Sequence, residues 1–149
     1  AFQLTDDEGE PLKGRAAVGD YIRIDIPGPA TDEGRGYDWV KIEKIEQPAA
    51  PDPDTGSISL MEVRPCANPQ LKDSIAIAHF LEDSATSTFI IEREGRKVSA
   101  TVYGRNEVPN TSYPGTGNKV RNAVVGTLGA IGLSRIQWKA LVEGLLEKE

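Results

Sequence analysis

One cysteine, Cys66, is all the chain has, so no disulfide can close within it, and its single histidine, His79, cannot build a His-rich metal cage. A Cys-His nucleophilic pair would be a coincidence, and no metal or cofactor is expected. Long apolar runs are missing as well. The longest, Ala123 to Leu133, falls short of the about 18 residues that suggest a membrane span, and Gly126, Gly129 and Gly132 interrupt it. Positive charge is in deficit: 17 Lys and Arg stand against 23 Asp and Glu, and the pI is near 4.9. That is the wrong sign for a protein whose affinity rests on neutralising phosphates, so nucleic acid is not an expected partner. The sequence opens at Ala1 with no basic and apolar leader, which suggests a processed chain or part of a longer one, with the cytoplasm as the expected compartment.

What is present is enough for a core. A chain of 149 residues buries roughly 68–70% of the surface its unfolded form exposes. Its apolar positions follow clear periods, which argues against disorder. Charge is uneven: residues 1–75 carry 15 acids and 8 bases, residues 76–149 carry 8 acids and 9 bases. Leu4 to Arg15 has almost no apolar period, so residues 1–17 read as an arm or an edge strand, and residues 18–149 as one α+β domain.

Strands come first. From Tyr21, the residues Ile22, Ile24 and Ile26 alternate with Arg23 and Asp25, until Pro27 and Pro29 end the ladder. Trp39, Val40, Ile42 and Ile45 form the next strand, and the slip of phase between Ile42 and Ile45 implies a bulge or the strand's end. A Pro- and Asp-rich connection over 47–56 leads to a third strand through Ile58, Leu60, Met61 and Val63. Ser74 to Leu81 is ambiguous between strand and helix and is read as strand. Thr86 to Arg93 and Lys97 to Tyr103 are β-branched and aromatic, and the Glu94-Gly95-Arg96 link predicts a short hairpin with Gly95 at positive φ.

The period then turns helical. Val120, Val124, Leu128 and Ile131 share one face after an N-cap at Thr116 or Asn118, and Gly132 closes the helix. Ser134 with Gln137 opens a second, whose apolar face is Ile136, Ala140, Leu141 and Leu145, with Trp138 expected to anchor it on the sheet. The expected architecture is an antiparallel sheet of five or six strands followed by a C-terminal two-helix unit packed on one side.

Candidate sites are few. Asp52-x-Asp54-x-Gly56 resembles the start of a calcium loop, but Ser57 and Val63 stand where such a loop needs Gly and Glu, so it reads as a turn. Asn110-Thr111-Ser112 matches a glycosylation sequon without a leader to support it. His79, near Glu82 and Asp83, has the makings of an oriented base but no nucleophile motif beside it, and a structural role is the plainer reading. Arg105, Asn106 and Glu107 follow a strand and offer a cation, an amide and a carboxylate on a rigid support; mutual pairing is the competing reading. Tyr37 and Trp39 flank the Gly34–Gly36 loop, where they would line a pocket or simply pack.

Gly126, Gly129 and Gly132 form a small-residue stripe, expected either to receive the neighbouring helix or to serve as a homodimer face. Two functions follow. The first is a non-enzymatic interaction or accessory domain offering its loops to a protein partner. The alternative is a small apolar-ligand binder or enzyme, with a pocket between the sheet and the C-terminal helices and Arg105, Glu107 and His79 as its polar groups. A solid core favours the first and an open cavity the second.

Overall fold

The computed structural model describes residues 1–25, 33–47, 56–110 and 133–146, the side chains of the last stretch from Trp138 onward. Six strands form one antiparallel sheet in sequential order: β1 (Phe2–Thr5), β2 (Tyr21–Ile24), β3 (Asp38–Glu46), β4 (Ser57–Pro65), β5 (Thr86–Glu94) and β6 (Lys97–Arg105). One helix, α1 (Leu133–Leu146), packs against β6. The first helix of the expected pair lies outside the described residues, and with it the Val120 to Ile131 seam and the Gly126, Gly129 and Gly132 stripe. Asp52 and Asp54 lie outside them too.

The sheet has two unlike faces because its strands alternate. Ile22, Ile24, Val40, Ile42, Val63 and Phe89 point to one side and form the main core, joined there by Trp138 of α1. The phase slip in β3 is a bulge: Ile42 pairs with Val63 and Lys44 with Glu62, leaving Glu43 as the extra residue. Residues three apart would otherwise face opposite ways, and the inserted position turns Ile45 inward beside Met61.

The sheet must also curl. Trp138 is 2% exposed, stacks on Phe2 of β1 at 6.3 Å and meets Phe89 of β5 edge-on at 5.0 Å. In a flat sheet those two strands would lie about 19 Å apart, four spacings of about 4.8 Å. Only a strongly coiled sheet brings them onto one indole, so β1 to β6 wrap around the helix.

The connection between β4 and β5 covers part of the other face. It is not the strand its alternation suggests. Ala67 and Ile77 form an isolated bridge, as do Leu81 and Pro109, and the rest of 66–85 is turn and bend. Its backbone groups find partners in two separate places, Trp39 of β3 and Asn110 beyond β6: Cys66 N–H donates to Trp39 O at 3.1 Å, Trp39 N–H to Ala78 O at 2.7 Å, and Asn110 N–H to Phe80 O at 2.8 Å. Phe80, Leu81 and Ala85 are buried there as a second small core.

Candidate functional site

The residues that the sequence singles out lie at one end of the sheet. Asp38 opens β3 opposite Ile24 at the end of β2, and Arg105 closes β6 opposite Thr86 at the start of β5. The Leu81 to Pro109 bridge ties the segment after β6 to the one that carries His79.

Burial then divides them into two groups. Trp39 is fully buried, and its Nε1–H donates to Gly34 O at 3.3 Å. The turn that supplies this carbonyl has left-handed φ at both Arg35 (50°) and Gly36 (94°), and Tyr37 N–H closes it on Gly34 O at 3.2 Å. Tyr37 is half-buried, with the Arg23 guanidinium 4.5 Å above its ring. His79 is buried and stacked on Phe80 at 4.5 Å, and its Nδ1 accepts the Leu81 N–H at 3.0 Å. An accepting Nδ1 is unprotonated, so the ring serves as a backbone acceptor here.

Asp38, the acid between Tyr37 and Trp39, and Asn110, marked in the sequence only as a sequon asparagine, complete this buried polar cluster. Asp38 Oδ2 accepts the Phe80 N–H at 3.2 Å. Asn110 Nδ2 donates to both Ile77 O and His79 O at 3.1 Å. Together they pin the 77–81 backbone against β3, where no ladder is present to satisfy it. Neither the sequon at Asn110 nor the position of Asp38 between two aromatics signals this structural role.

The second group is exposed. Arg105 and Asn106 stand at the tip of β6, Asn106 with φ of 52°. The Glu107 side chain folds back over Gly104, its carboxylate filling the space where a Cβ would stand. Arg105 and Tyr103 share the outer face of β6, and across the sheet Tyr103 lines up with Thr88 of β5 and Glu62 of β4. Thr88 Oγ1 donates to Glu62 Oε2 at 3.1 Å.

That outer face is open over the lower part of β4 to β6. Ile58 is 60% and Tyr103 53% exposed, with the half-buried Leu60 and Ile90 paired between them. Two nearby cations are held in ion pairs. Arg64 Nε pairs with Glu43 Oε1 at 2.8 Å and its Nη1–H donates to Asp83 O at 2.8 Å, and the bond from Glu43 raises the guanidinium pKa. Lys44 is paired with Glu46 at 2.7 Å.

The inner face has a recess of its own, about 240 Å³, between the end of α1 and β3 to β5. Ile45, Met61, Phe89 and Ile91 form its floor, Leu145 overhangs it, and Arg15 contributes its charged side chain. Among the described residues no group of three His, Cys, Asp or Glu is placed to hold a metal ion, and no helix is long and apolar enough to cross a membrane. Compared with protein-family models, with curated proteins and with solved structures, the chain matches none of them.

Proposed function

We propose that this chain is a non-enzymatic interaction domain whose contact surface is the outer face of β4 to β6 together with the Arg105–Glu107 corner. The observation that carries the proposal is the exposure of Ile58 and Tyr103 on a rigid three-strand platform, flanked by ion pairs that are already satisfied. Apolar side chains grouped on a solvated sheet face gain most when a second surface removes them from water. Arg105, exposed at the end of the same face, adds a planar cation suited to a carboxylate. Burial pushes the Cys66 thiol up to about 12, and His79 Nδ1 holds a backbone amide.

A photo-crosslinking residue at position 103, in the chain expressed in its native cells, tests this. A discrete protein adduct is expected from position 103 and none from position 139, on the exposed side of α1. Ile90→Glu and Arg105→Ala should each weaken the adduct while leaving the urea midpoint within experimental error. No adduct from 103, or the same adducts from 139, overturns the proposal.

The recess favours a second reading, a small apolar ligand held between the sheet and the C-terminal helix. Its lining is mostly apolar, with Arg15, Gln47 and Ser59 as the polar members.

A further inference from the structure

The recess exists for identifiable reasons. The bulge at Glu43 turns Ile45 inward, and Ile45 and Met61 pack beside the buried core as only partly buried neighbours. Leu145, near the end of the described part of α1, is 41% exposed and lies in the lining, so among the described residues the helix does not seal the recess. The space left is about 240 Å³, below the about 300–1,000 Å³ typical of drug-sized ligand sites. Only a short apolar group fits.

Its charge is equally specific. Arg15 is the one charged residue in the lining. It is exposed and makes no ion pair or hydrogen bond with another described residue. A mostly apolar cavity whose lining includes the Arg15 guanidinium, with Gln47 and Ser59 as its neutral polar members, is complementary to a ligand with an aliphatic body and a carboxylate head.

From this geometry we infer that the recess binds a short-chain alkyl carboxylate, with its tail against Ile45, Met61, Phe89 and Ile91 under Leu145 and its head on Arg15. This rests on the second reading above and goes beyond it by naming the ligand class and the residue that selects it. Met61 is the only methionine in the chain, so its methyl resonance reports the recess without ambiguity. Trp138, in contact with the recess residue Phe89, provides a second reporter through its indole N–H.

The test is an NMR titration of the full chain with octanoate and, separately, with octanol. A saturable shift of the Met61 methyl is expected with both, and octanoate should bind at least fivefold more tightly. From hexanoate to octanoate, affinity should rise by about fourfold per methylene, the equivalent of about 0.8 kcal/mol. Arg15→Gln should remove the preference for octanoate and leave octanol unchanged, whereas Leu145→Glu should weaken both. Octanol binding with no octanoate preference, or a preference that survives Arg15→Gln, overturns the carboxylate inference while the apolar site stands. No Met61 shift with either probe overturns the inference and the second reading together.

Discussion

Gly56 and Gly95 both have left-handed φ, 88° and 57°, yet substitution at the two should have different costs. At Gly95, left-handed φ at the first central residue of the Glu94 to Lys97 hairpin fits a type II′ turn, and an added Cβ meets nothing within 4 Å. Gly95→Ala should therefore cost the backbone penalty alone, about 1–2 kcal/mol, and Gly95→Val somewhat more. At Gly56 the added Cβ runs into the backbone carbonyl of Arg93 across the β4 to β5 ladder. Gly56→Ala should exceed Gly95→Ala in urea denaturation; equal midpoints would show that the ladder yields at that point.

Cys66 belongs at the same scale. Burial pushes its thiol from the ordinary 9.0 up to about 12, and Lys41 opposes this only in part. Three pH units make the folded thiolate about a thousandfold rarer at pH 8 than in an unfolded chain. Alkylation by iodoacetamide should thus be slow in buffer and fast in urea, and reaction of the folded protein at the rate of a free thiol would contradict the burial. The unfolded chain also loses this proton first. Stability should be insensitive to Cys66 below about pH 9 and fall as pH rises from there towards about 12.

At the scale of elements, the segment from Ser74 to Leu81 shows what periodicity misses. Ile75, Ile77 and His79 do alternate, but Ile75 is 90% exposed and His79 is buried. The segment's partners come from residues far apart in the chain, so single bridges and side-chain bonds replace a ladder. Asn110 is the strongest of these ties, since one amide group satisfies two carbonyl oxygens. Asn110→Ala should destabilise by about 1–3 kcal/mol, because it leaves Ile77 O and His79 O without their donor. Asn110→Asp should cost more, as a carboxylate would face those same oxygens. Hydrogen exchange of the Ala78 and Phe80 amides, alongside urea melts, would detect both; unchanged protection in the alanine variant would show the tie to be dispensable. The bulge at Glu43, by contrast, was visible as three-residue spacing, because a change of phase within one strand is a local signal.

For the whole molecule, Trp138 is the residue on which the curl of the sheet depends. It touches the first strand and the fifth at once. Trp138→Ala should cost about 3–5 kcal/mol, through lost burial and the cavity left between Phe2 and Phe89. The indole N–H has no hydrogen-bond partner among the described residues, so Trp138→Phe sacrifices only ring area and should retain more than half of that stability. Near-UV circular dichroism and thermal melts would separate the two variants. An alanine variant as stable as the wild type would mean that α1 does not hold the sheet in its curled form.

The sequence made legible the antiparallel strands, the hairpin at Gly95 and the role of Trp138 as an anchor, and it marked the phase slip in β3 as a bulge or the strand's end, since each depends on alternation, spacing or turn chemistry within a few residues. It also placed Arg105 and Asn106 at an exposed strand end, because a strand followed by a polar run marks that boundary. Packing alone shows that Trp39 and His79 are buried, that Asp38 and Asn110 hold a segment distant in the chain, and that the two faces of the sheet offer exposed apolar side chains on one side and a recess lined in part by Arg15 on the other. The difference is one of range. Local backbone preferences are fixed by neighbouring residues, whereas burial and enclosure arise when a coiled sheet brings β1, β5 and the C-terminal helix to one place.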